Sequence, residues 1–230
     1  MASDRQQRYM ERQYVHPGEQ EVSASTYNMV IGGVLAYGFI INCLMVALCS
    51  DAIYSLASNP IMFYIFYFAM IIVGSLMVNG SKNPVISFIG YNLIVIPLGF
   101  VLSIVITGFA SIGYTSIIAT AFGITAVVTL AMMAVSSAFP NFFLSLGRTL
   151  GITLLITIVV ELVMMFLGAN LGIIDYVVVL IFCGYIGYDW ARANACAKTI
   201  DNAVDSAAEL YVDIVNLFIR ILSILARARD

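Results

Sequence analysis

The stretch AAELYVDIVNLFIRILSILA, residues 207–226, carries Glu209, Asp213, Asn216 and Arg220 at successive spacings of four, three and four. At 100° per residue, these four side chains fall within roughly 60° of arc on an α-helix. Most other positions are Leu, Ile, Val, Phe or Ala. Two acids one turn apart on an apolar helix repel each other unless a proton, a cation or a base intervenes. Such a stripe is suited to holding or passing protons and cations, and at membrane depth it should face a bundle interior or a wet cavity. Two further acids lie in apolar surroundings, Asp189 in CGYIGYDWARA and Glu161 in LITIVVELVMMFLG.

The elements that must position these groups are membrane helices. The chain has 230 residues, 62% hydrophobic and 10% charged, with a mean hydropathy of +1.00. A soluble domain carries about 25% charged residues. A polar segment, 1–27, is followed by seven apolar stretches near 28–50, 61–79, 85–107, 113–135, 149–168, 172–190 and 206–226. Each is long enough to cross a hydrocarbon core of ~30 Å at 1.5 Å per residue. The fold expected is all-α, with a tail at 1–27, a seven-helix membrane domain at 28–226 and a short end at 227–230. The tail reads as mobile, with a short interfacial helix before Pro17. Pro97 falls inside the third stretch, and Pro60, Pro84 and Pro140 fall at breaks. The alternating short segments of a transmembrane barrel are absent. So is the inverted repeat of many transporters.

Basic residues in short loops set the orientation. Arg5, Arg8, Arg12, Lys82, Arg148, Arg192 and Lys198 all fall on one side of the implied topology, and the opposite breaks hold no Lys or Arg. The N-terminus is therefore expected in the cytoplasm, with Asp51 and Asp175 outside. Arg227 and Arg229 are the exception if the last stretch crosses fully. Glu161 and Arg220 lie about twelve and fourteen residues from the cytoplasmic starts of their helices, a depth of ~18–21 Å. An acid and an arginine at one depth are natural partners. Asp189, Asp213 and Glu209 form a shallower acidic layer, and Asp201 and Asp205 read as a solvated acidic loop before it.

The other chemistries are limited. His16 is the only histidine, which excludes a histidine-based triad or metal site. Cys43, Cys49, Cys183 and Cys196 have neither a disulfide framework nor a zinc spacing, and read as small core residues. The net charge of -3 gives no reason to invoke nucleic acid.

ELYVDIVNLFIRIL, residues 209–222, resembles the last-helix motif Leu-Tyr-Leu-Asp-Phe-Ile-Asn-Leu-Phe of the Bax inhibitor-1 (transmembrane Bax inhibitor motif) family. Leu210, Tyr211, Asp213, Asn216, Leu217 and Phe218 match as they stand. YIGYDW, 185–190, is similar to that family's sixth-helix Tyr-Asp element, and AFGIT, 121–125, to a fourth-helix signature. The resemblance implies six helices around a central seventh. It also implies a prokaryotic plasma-membrane protein, a pH-sensitive Ca2+ leak whose di-aspartyl sensor falls on Asp189 and Asp213. These two would be the pH sensor, ion pathway and weak Ca2+ site, with Glu209, Asn216, Arg220 and Glu161 as a supporting polar stripe. The family's second-helix arginine latch has no counterpart in residues 61–81, which leaves Lys82 as the candidate base.

This reading needs no resident cofactor. Ca2+ is the permeant ion, protons and the lipid bilayer are the partners, and a monomer suffices, though an oligomer is compatible. The alternatives are a cation/proton antiporter and a non-conducting membrane regulator of cell survival. An intramembrane aspartyl protease would share Tyr188–Asp189. It would also need Gly-x-Gly-Asp, whereas Asp213 follows Leu210-Tyr211-Val212, so no enzyme is expected.

Overall fold

The computed structural model describes residues 11–16, 18–48, 59–168 and 172–229. Arg5, Arg8, Pro17, Cys49 and Asp51 lie outside them. Among the described residues the fold is all-helical, with α1 (Ala24–Leu48), α2 (Pro60–Gly80), α3 (Pro84–Ser111), α4 (Thr115–Ala138), α5 (Pro140–Phe166), α6 (Gly172–Ala195) and α7 (Ile200–Arg227). The only β-type pairing among them is an isolated antiparallel bridge between Glu21 and Thr199. Six helices, α1 to α6, are long and apolar enough to cross a membrane. Their outward faces are apolar: Ile61, Ile65, Ile72 and Leu76 of α2 and Leu155, Val159 and Leu162 of α5 are all exposed. Such faces are satisfied by lipid, where only a helix or a closed barrel can pair its backbone internally.

Local chemistry explains the helix starts. Pro60, Pro84 and Pro140 each open a helix, where the missing N–H has no intrahelical role. Asn59 caps α2 by accepting from the Met62 N–H at 3.3 Å. α3 runs through Pro97 without an interruption. α7 begins at Ile200, earlier than the apolar stretch suggests. The Thr199 hydroxyl accepts from the Asn202 N–H at 3.2 Å as its N-cap, and no Gly or Pro follows before Arg227. This corrects the expectation of a solvated acidic loop. Asp201 and Asp205 belong to the first turns of α7 and are only 1% and 3% exposed. From Asp201 to Ala226, no residue of α7 is exposed.

The chain divides into two compact units. The first comprises Met1–Gly108 and Ala193–Tyr211. Within it, α2 and α3 approach through Gly74 and Gly90: a Cβ on Gly90 would lie 2.8 Å from the Gly74 carbonyl oxygen. Small residues permit such close backbone contact between membrane helices. The Tyr91 hydroxyl donates to the Val34 carbonyl at 2.9 Å, and its ring meets Tyr211 edge-on at 5.5 Å. The Tyr211 hydroxyl also accepts from the Asn42 amide.

The tail was expected to be mobile, and its described part is instead docked on this unit. The Arg12 carbonyl accepts from the Ala197 N–H at 2.9 Å, and the Val22 N–H donates to the Lys198 carbonyl at 2.7 Å. Backbone groups from the Ala195–Ile200 connection thus find partners in the tail rather than in water.

The second unit comprises Phe109–Arg192 and Val212–Asp230. Phe122 of α4 stacks on Phe218 of α7 with ring centroids 4.3 Å apart. The Trp190 indole N–H of α6 donates to the Ser137 hydroxyl at 2.9 Å. Gly147 of α5 faces the Tyr188 ring of α6 at a distance that leaves no room for a Cβ.

Candidate functional site

Three charged clusters follow from this packing, two in the second unit and one in the first. The first is built on Asp175 in the opening turn of α6. Arg220 Nη1 donates to Asp175 Oδ1 at 2.7 Å, and Arg227 of the last turn of α7 pairs with Asp175 Oδ2. Glu161 of α5 completes the cluster. Arg220 Nη2 donates to its Oε2 at 3.0 Å, while Oε1 lies 2.7 Å from Nη1 as a charge contact outside hydrogen-bonding geometry. The expected Glu161–Arg220 pair is therefore present, within a larger group. Asp175 is the most buried member, at 2% exposure. Its contact with Arg227 brings the last turn of α7 to the first turn of α6.

The second cluster lies at the other end of α6. Asp189 is 6% exposed, and Arg192 Nη2 lies 3.1 Å from its Oδ1, one turn along the same helix. The Arg192 guanidinium also sits 5.3 Å from the centroid of the Tyr188 ring. Asp213, on α7, is 5% exposed. The Asn216 amide donates to the Val212 carbonyl of its own helix at 2.8 Å. Lys82 belongs to the first unit, where its charge bears on Asp201. Arg192 is a base that touches Asp189, which its i,i+3 spacing could have signalled.

The third cluster is in the first unit, and sequence reasoning missed its key member. Arg12, counted beforehand only as an orientation charge, is 8% exposed. Its Nη1 donates to both Glu209 carboxylate oxygens at 3.2 and 3.3 Å. Nε donates to Asn202 Oδ1 at 3.1 Å, and Nη2 to the Asn202 carbonyl at 3.0 Å and to the Ser206 hydroxyl at 2.8 Å. Glu209 thus has a base of its own. Behind it, Ser87 of α3 donates to Asp201 Oδ1 at 2.7 Å. Burial pushes the Asp201 carboxyl above its usual range, against the pull of the Ser87 hydroxyl, Lys82 and Arg12. Burial pushes Asp205 well above it, Arg12 again opposing and Asp201 and Glu209 adding to the rise. Lys198 is pushed down by burial; its ammonium donates to the Ala193 and Asn194 carbonyls and lies 4.6 Å from the Tyr27 ring centroid. No group of three His, Cys, Asp or Glu side chains that could hold a metal occurs among the described residues.

Apolar spans with outward lipid-compatible faces and inward paired charges define a multi-pass integral membrane protein. A family model described as inhibitor of apoptosis-promoting Bax1 matches residues 19–230, and the chain belongs to this Bax inhibitor family. No curated protein matches the chain.

Proposed function

We propose that the protein is a Ca2+-permeable leak channel whose conductance follows pH through Asp189 and Asp213. The observation that carries this reading is the burial of both carboxylates, 6% and 5% exposed, in a chain built of membrane helices. Two carboxylates in a poorly hydrated site cannot both ionise cheaply, so a proton shared between them competes with Ca2+ for the same oxygens. A site with so few acids binds weakly, as permeation requires. In this reading residues 206–226 of α7 form a seventh, central span. Two observations support that: α7 has no exposed residue from Asp201 to Ala226, and Arg227 reaches Asp175. The N-terminus, Arg192 and Lys198 are cytoplasmic, and Asp175 is external. Arg192 serves Asp189 as the counter-charge for which the second helix offers no arginine.

The test is Ca2+ flux through the purified protein in liposomes at a series of fixed pH values. Flux that changes with pH and continues without a pH gradient supports a leak. Flux that reverses when the gradient is reversed indicates proton exchange instead. The absence of flux at every pH indicates a non-conducting regulator.

A further inference from the structure

A tail arginine that is 92% buried calls for an explanation, because a guanidinium leaves water only for a nearly complete set of acceptors. Arg12 has such a set. Its donors meet a carboxylate, an amide oxygen, a backbone carbonyl and a hydroxyl, contributed by Asn202, Ser206 and Glu209 on successive turns of α7. The fork is held from both sides, since the Asn202 amide donates back to the Arg12 carbonyl at 3.2 Å. The Tyr27 hydroxyl lies 3.1 Å from the Ser206 hydroxyl and closes the floor. One acceptor remains unused: Asp205 is 3% exposed, and its Oδ1 is buried without a hydrogen-bond partner while lying within the field of Arg12. Asp201 Oδ2 is likewise buried and unpartnered. The pocket therefore holds more carboxyl oxygen than its one guanidinium satisfies.

The segment that delivers Arg12 is lightly attached elsewhere. Tyr14 and Val15 are 65% and 42% exposed; after them Glu19 has its Oε1 buried, and the Glu21–Thr199 bridge follows with the Val22–Lys198 hydrogen bond. A strap whose Tyr14 and Val15 stand exposed between such contacts has the low local stability of segments that open reversibly.

From this geometry we infer that the start of α7 carries a cation-binding cleft, formed by Asn202, Asp205, Ser206 and Glu209, which selects a guanidinium group, and that the N-terminal segment inhibits the protein by plugging this cleft with Arg12. The cleft is specific for a fork of donors rather than for charge, so a lysine at position 12 fills it poorly. Withdrawal of the strap opens a row of acids at 201, 205 and 209 on one face of α7 and raises the local cation concentration there. The inhibitory half rests on the leak reading; the cleft does not.

The binding test uses thermal unfolding of the full chain in detergent, with guanidinium chloride at low millimolar concentration against matched sodium chloride. Guanidinium is expected to raise the Tm of Arg12→Ala by roughly 3–5 °C near saturation of the vacated cleft. It should leave the wild type and the double variant Arg12→Ala with Glu209→Gln unraised. If Arg12→Ala gains nothing, or the double variant gains as much, the cleft is refuted. Should Arg12→Ala fail to fold, Glu209→Gln in the full chain supplies the readout. Amide exchange at Val22 and Ala197 should then accelerate about tenfold or more, and unchanged protection refutes the docking role of Arg12. For inhibition, Arg12→Ala should pass Ca2+ several-fold faster than wild type, and guanidinium should return the rate towards the wild-type value. Unchanged flux in a variant whose Tm guanidinium still raises overturns the plug and leaves the cleft standing. A wild type without flux at any pH overturns the leak reading and leaves the Tm result untouched.

Discussion

Asp175→Asn should destabilise the protein more than Glu161→Gln, although Glu161 is the acid whose depth in its helix matches that of Arg220. Asp175 is 2% exposed and serves two arginines, Arg220 at 2.7 Å and Arg227. Removing one partner from a buried ion pair costs about 3–5 kcal/mol. Two features lower that here: Arg220 retains Glu161, and the Arg227 side chain is 43% exposed and can reach water. About 2–3 kcal/mol remains by the same reasoning. In a chain of this size each kcal/mol moves Tm by about 2–4 °C, so a loss of about 4–12 °C is expected. Glu161→Gln keeps an amide oxygen for Arg220 Nη2 and leaves Asp175 in place, so it forfeits only the charged share of one hydrogen bond, about 1 kcal/mol. The double variant leaves Arg220 without either acid, and its loss should exceed the sum of the single losses by about 1 kcal/mol or more. Thermal unfolding in detergent reads all three. The reasoning fails if Glu161→Gln costs as much as Asp175→Asn, or if the two losses simply add.

The burial-raised carboxyl of Asp205 means that the folded chain binds this proton more tightly than the unfolded chain does. The stability it contributes is full below the unfolded pKa and is lost as pH rises through the folded value. The Tm difference, Asp205→Asn minus wild type, should therefore grow as pH rises above the usual carboxylate range; a difference that shrinks contradicts this. Gly90→Ala should cost about 1–3 kcal/mol, because its Cβ would lie 2.8 Å from the Gly74 carbonyl and α2 would have to move; an unchanged Tm would count against the close contact. Cysteines placed at Ile173 and Asn194, both exposed, should label from opposite faces of the membrane in a background free of native cysteine. Labelling from one face would contradict a crossing by α6.

The helical, multi-pass character was legible because apolar runs of membrane length have few other outcomes. The Glu161–Arg220 pair was legible because two costly charges at one depth have few other partners. Asp175 was not, since an acid at a helix end is ordinarily solvated, and its role depends on where α7 ends. Arg227 and Arg229, which broke the loop-charge asymmetry, pointed to this. Arg227 pairs with Asp175, and Arg229 lies 4.9 Å from the centroid of the Tyr114 ring. Arg12 was illegible for another reason: its partners are 190 to 197 residues away in sequence, and nothing in the tail distinguishes it from a solvated arginine. The burial of Asp201 and Asp205 had a signal that charge alone obscured. With Glu209 and Asp213 they recur every four residues, the spacing of one helix face, through a segment without Gly or Pro.

The central claim is tested most directly by Ca2+ flux in liposomes across about pH 6–8, a range a shared carboxyl proton must reach to act as a physiological sensor. Wild type would be compared with Asp189→Asn, Asp213→Asn and the double variant. The account predicts a pH-dependent wild type, a flattened curve for each single variant and little further change in the double, because the pair titrates as a unit. A flat wild-type curve, or single variants whose curves overlay the wild type, would contradict it.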